Sequence, residues 1–114
     1  MNAPVLAAER HDEVAVLSVL APRLDASAAP RFRAEASEAT GDARRIVLDL
    51  AKVEFVDSTG LGALIGLMKS VAPTGVFVLA GAGRQVTKLL SATKLDRVLN
   101  MEPDLSQALS RARR

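Results

Sequence analysis

Cysteine is absent from the 114 residues, which excludes disulfides, thiolate metal sites and cysteine nucleophiles and fits a reducing compartment. Trp and Tyr are absent too, and Phe32, Phe55 and Phe77 are the whole aromatic inventory, so nucleic acid would find no base-stacking platform. No apolar run reaches the ~18 to 20 residues of a membrane span. Glu9, Arg10, His11 and Asp12 stand where a signal peptide would carry its apolar stretch. Neither membrane insertion nor export by that route is expected, and the expected location is the cytoplasm. An excess of one charge sign is also missing: 15 basic residues face 13 acidic ones, and without Arg111, Arg113 and Arg114 at the chain end the count is 12 against 13. A body so close to neutrality has no phosphate-binding stripe, so nucleic-acid partners are not expected.

What the chain does have is 49% hydrophobic and 25% charged residues, enough to bury a core and enough for one domain over residues 1–114. Val5 to Ala8 is a short apolar run, and Val14, Val16, Leu17, Val19 and Leu20 form a β-branched second one, with a turn predicted over Arg10 to Glu13. Pro22 stops that strand. Asp25 and Ser27 are competent caps for an Ala-rich helix that carries Phe32 and Ala36 on one side and breaks at Gly41. Ile46, Val47 and Leu48 read as a strand covered on both faces. From Ser58, the set Leu61, Leu64, Ile65 and Met68 predicts a helix stripe that ends before Pro73 and Gly75. Val76 to Ala80 reads as another buried strand, followed after Gly81 and Gly83 by a helix with Val86, Leu89 and Leu90. A weak strand is predicted around Val98 and Leu99, and a last helix after Pro103 carries Leu105, Ala108, Leu109 and Ala112. Strands that alternate with helices require crossover connections. The expected fold is therefore a single α/β domain with a mixed, mostly parallel sheet of four to five strands and about four helices.

The segment Asp57-Ser58-Thr59-Gly60-Leu61-Gly62 falls at a strand-to-helix junction, where the first helical N–H groups have no partner within the helix. Asp57 or Ser58 could cap the helix. Two hydroxyl residues and two glycines also leave a low, open surface that a partner could approach and a kinase could reach.

This segment resembles the signature of the STAS-domain anti-sigma factor antagonists of bacteria, together with Ile46-Val47-Leu48-Asp49-Leu50, Val53 and Phe55-Val56 before it. Arg23-Leu24-Asp25 with Ala26 resembles that family's earlier loop, and Gly81 to Leu90 its later glycine-led helix, so the likeness covers nearly the whole chain. Pro22 departs from it, standing where the family usually has Gly. The resemblance implies a regulatory binding protein with no catalysis and no cofactor of its own. The unmodified form would bind an anti-sigma factor that carries a serine-kinase domain and so release the sigma factor. Phosphorylation at Ser58, with Thr59 as the runner-up acceptor, would break the complex, and a metal-dependent serine phosphatase would restore it. The implied partner surface is Asp25 with Asp57, Ser58, Thr59, Gly60, Leu61 and Gly62. The same fold family also supplies non-phosphorylated subunits that dock on the ATPase of a membrane transport complex, which is the alternative.

Other candidates carry less. Gly60, Gly62 and Gly66 have the wrong spacing for a dinucleotide fingerprint, and close helix packing is the simpler explanation. Gly81 to Lys88 is not a phosphate loop. Asp49 lacks the acidic pair that a phosphorylated aspartate receiver needs for its metal, since the first strand leads only to Glu9. His11 is the lone imidazole, in a predicted turn, and supports neither a metal site nor a catalytic triad. The terminal arginines read as a solvated helix end.

Overall fold

The computed structural model describes residues 3–71 and 74–114. Two antiparallel strands open the chain, β1 (Leu6–His11) and β2 (Val14–Val19), followed by a two-residue strand β3 (Arg23–Leu24) and helix α1 (Ala29–Thr40). Then come β4 (Arg45–Asp49), β5 (Phe55–Val56), α2 (Ser58–Val71), β6 (Val76–Ala80) and α3 (Arg84–Ala92). A single 3-10 turn (Leu95–Arg97), β7 (Asn100–Glu102) and α4 (Leu105–Ala112) complete it. The main sheet runs in the order β1-β2-β4-β6-β7, parallel except for the first pair, and β3 pairs with β5 in a separate parallel ribbon. This is the expected α/β domain with four helices and a five-stranded mixed sheet.

The alternation of side chains along each strand divides the interior. Val16, Val47 and Val78 stand side by side on three neighbouring strands and pack with Ala108 and Ala112 of α4. The adjacent row, Leu17, Leu48 and Leu79, faces the other way, toward Phe32 and Ala36 of α1, Leu64 and Leu67 of α2, and Leu90 of α3. Ile46, Val47 and Leu48 are fully buried because β4 is the central strand with helices over both faces.

Several sequence expectations shift in detail. The hairpin turn is confined to Asp12 and Glu13, with Asp12 at a φ of 60°, so His11 is the last residue of β1 and pairs with Glu9 at 2.9 Å. Asp25 does not cap α1 itself. Its Oδ1 accepts the N–H groups of Ser27 and Ala28 and shapes the turn before the helix, while Ala28 occupies the N-cap position without a side-chain bond and Pro30 lies in the first turn. The buried face of α2 is Gly60, Ala63, Leu64, Leu67 and Val71. Leu61, Ile65 and Met68, expected beside Leu64 in the stripe, are half-buried on its flank, where Leu61 and Met68 still pack against the core. The last strand begins at Asn100 rather than at Val98, which is 64% exposed. Pro73, expected just beyond the end of α2, lies outside the described residues, and Val71 is the last described residue of that helix. Of the terminal arginines, Arg111 is engaged rather than merely solvated, while Arg113 and Arg114 are exposed. Arg111 bonds Glu102 and Asn100, Arg113 approaches Asp12, and Arg45 reaches across to the carbonyl groups of Ala112 and Arg114. No helix is long and apolar enough to cross a membrane among the described residues.

Candidate functional site

Asp57, the last residue before α2, sends its two carboxylate oxygens to different elements. Oδ1 accepts the N–H of Gly60 at 2.9 Å, which closes the first turn of the helix as an N-cap. Oδ2 accepts the N–H of Ala26 at 3.1 Å, in the loop between β3 and α1, and the Asp57 N–H donates to the Leu24 carbonyl at 3.3 Å. One side chain therefore fastens the start of α2 to the loop that carries Asp25. The Gly60 N–H holds the Asp57 carboxyl below its ordinary value of 3.8; partial desolvation opposes this, while the N–H groups of Ala26 and Thr59 and the charge of Arg23 add to it.

The loop is held on its other side by Arg23. Its guanidinium lies 4.2 Å from the centre of the Phe55 ring, and its Nε is 3.5 Å from Asp25 Oδ2. Glu54 and Phe55 both donate their N–H groups to the Pro22 carbonyl, so the residue that departs from the family pattern is itself part of the β3–β5 junction. The structure thus brings Asp25, Asp57, Ser58 and Thr59 to one corner.

Ser58 and Thr59 are exposed in the first turn of α2, so their hydroxyls lie where an incoming group can reach them, at the helix end that favours negative charge. Leu61 is half-buried. Gly60 and Gly62 differ sharply. Gly60 is buried, and a Cβ there would lie 1.8 Å from the Leu24 carbonyl oxygen, so a side chain is excluded by backbone. Close packing is thus the reason for this glycine, and its contribution to any partner surface is through the position of the helix. Gly62 is exposed, and a Cβ there would meet only Nη2 of Arg33 at 3.7 Å.

Arg33 was not legible as part of this region. It comes from α1, and its guanidinium lies along α2, with Nη1 3.3 Å from where a Cβ of Gly66 would be. Below it a groove of about 290 Å³ runs between the two helices, lined by Phe32, Ser37, Thr40 and Leu67 among others, one to three turns from Ser58. The four-residue step from Gly62 to Gly66 signalled a bare face on α2, but nothing in the sequence places α1 opposite it. The role of Arg23 over Phe55 was likewise hidden. Asp49 accepts the Ala51 N–H at 2.9 Å and ends its strand as a cap.

The chain is similar to known proteins in both sequence and fold. The family model of the STAS domain matches residues 5–108. A Thermotoga maritima protein provisionally named an anti-sigma factor antagonist is 35% identical over 71 residues; the match spans 61% of this chain and 63% of that relative's length. The crystal structure of an anti-sigma factor antagonist from Mycobacterium paratuberculosis is similar over 100% of both chains, with 28% identity and a TM-score of 0.87. The Bacillus cell fate determinant SpoIIAA in its phosphorylated form shares the fold, at a TM-score of 0.70 and 24% identity over 93% of this chain and 97% of that one.

Proposed function

Since this chain belongs to the STAS domain family, we propose that it is an anti-sigma factor antagonist that works by partner switching at Ser58. Unmodified, it binds an anti-sigma factor that is also a serine kinase, and the sigma factor is released. Once Ser58 is phosphorylated the complex dissociates, and a metal-dependent serine phosphatase regenerates the binding form. The protein is a substrate and a binding partner, not an enzyme, and it acts in the cytoplasm.

The observation that carries this reading is the placement of an exposed serine directly after a carboxylate that pins both neighbouring elements. Asp57 keeps the corner rigid, so Ser58 is presented on a preformed surface of Asp25, Thr59, Leu61 and Gly62, with Gly60 setting the helix close to Leu24. A phosphate adds about −1.5 to −2 charges at pH 7. The helix start stabilises that charge in the free protein by only ~0.3 to 1 kcal/mol, whereas burying it in an interface without a matched cation costs more. The difference favours release without a change of fold. Thr59, one residue further on and also exposed, is the second acceptor candidate. The constitutive transporter-subunit reading rests on shared fold alone, while the relative that matches in sequence carries the antagonist name.

The test is phosphosite mapping by mass spectrometry after incubation with ATP and the kinase-type anti-sigma factor of the same organism. Phosphate on Ser58 that disappears in Ser58→Ala, with binding of the unmodified chain retained, is the expected result. An active kinase that leaves every hydroxyl of this chain unmodified would overturn it.

A further inference from the structure

Arg33 makes no ion pair and no hydrogen bond among the described residues, whereas Arg31 on the same helix faces Glu35 at 3.6 Å. Its guanidinium lies beside α2, next to Gly62 and Gly66. Ser58, Gly62 and Gly66 follow one another at four-residue steps and so share one face of that helix. Neighbours at this spacing have Cβ positions about 5–6 Å apart, and the Cα–Cβ bonds tilt toward the helix N-terminus. The Nη2 group at 3.7 Å from the Gly62 Cβ position is thus about one turn from the Ser58 side chain, and glycine leaves no side chain between them.

We propose, on the premise that Ser58 is the phosphorylated residue, that Arg33 is the intramolecular counter-ion of the phosphate. A phosphoryl group extends Ser58 along the bare face, and a small rotation of the long Arg33 side chain brings the planar guanidinium to its oxygens as a charge-assisted pair. Phosphorylation then changes the surface twice. It adds negative charge at Ser58, and it draws in a cation that the unmodified form leaves exposed to a partner. The other charges nearby do not supply this contact: the Asp57 carboxylate is bound to N–H groups, Arg23 is engaged with Phe55 and Asp25, Arg31 faces Glu35, and Lys69 lies three turns along α2.

The experiment installs phosphoserine at position 58 by genetic encoding, without any kinase, and follows the second ionisation of the phosphate by phosphorus NMR as pH is varied. In the otherwise native chain the phosphate should ionise about half a pH unit lower than in Arg33→Gln, because a nearby cation favours the dianion and solvent screens the pair. Arg33→Lys should recover part of the shift, and Gly62→Leu, which interposes a side chain without removing the charge, should lose it as Arg33→Gln does. Lys69→Gln should leave it in place. Identical titrations of the native and Arg33→Gln phosphoproteins, both folded by proton NMR, would overturn the proposal. That result leaves the Ser58 switch intact, because the switch fails on a different measurement, equal partner affinity of the phosphorylated and unmodified chains.

Discussion

Gly60 and Gly62 stand two residues apart in one helix turn and meet opposite demands. A methyl group at Gly60 runs into the Leu24 backbone carbonyl, which cannot move without breaking the β3–β5 ribbon, so Gly60→Ala should destabilise by about 1–3 kcal/mol or more. Gly62→Ala adds a methyl group that meets only the end of the Arg33 side chain at an ordinary contact distance, and relief of the glycine penalty should stabilise the protein by about 0.5–1 kcal/mol. Urea unfolding of the two variants checks both signs. The two residues look alike in the sequence, and only the arrival of Leu24, from more than thirty positions earlier, separates them. Asp57 yields a pH prediction. Its carboxyl is held below 3.8 in the folded state, so the unfolded chain binds the proton more readily, and the contribution of Asp57 is present above that value and lost as pH falls below it. Asp57→Asn should therefore flatten the acid limb of the stability curve below about pH 4; an unchanged acid limb, measured by thermal unfolding from pH 2 upward, would contradict this.

At the scale of elements, strands and helices with strong apolar periodicity were legible because burial itself writes the pattern. β4, β6, α3 and α4 lie where the spacing puts them. The elements that shifted are those held by contacts the pattern does not record. β7 is Asn100-Met101-Glu102, poor in strand formers, and it is fixed in place by pairing with β6 and by Arg111 of α4, which bonds both Asn100 and Glu102. β3 and β5, two residues each, exist because the Pro22 and Leu24 carbonyls find N–H groups across the corner. α4 covers its side of the sheet with alanines, so its backbone sits close to Val47 and Val78. Ala108→Leu should cost about 1–3 kcal/mol by overpacking this layer while leaving the Ser58 corner unchanged, since that corner lies on the opposite side of the sheet. Loss of stability with partner affinity retained is the result that checks it.

In the molecule as a whole, the groups that hold the core and the surface proposed for signalling are different residues. Ser58, the proposed acceptor, is exposed and contributes nothing to the core, so Ser58→Asp should unfold within about 0.5 kcal/mol of the native chain and keep its circular dichroism. The same substitution should weaken partner binding, and Ser58→Ala should not. The fold class and the Asp57-to-Gly62 corner could be read in advance because strand, loop and helix start are contiguous in sequence. The cations around the corner could not, because Arg23 and Arg33 reach it through side-chain directions that only the packed structure defines. The central claim is that charge at Ser58 decides partner binding without a change of fold. Its most direct test is the affinity of the kinase-type anti-sigma factor for two chains identical except for phosphoserine at position 58. The account predicts a fall on the order of tenfold or more, a loss of at least about 1.4 kcal/mol of binding free energy. Equal affinity of the two chains would contradict it.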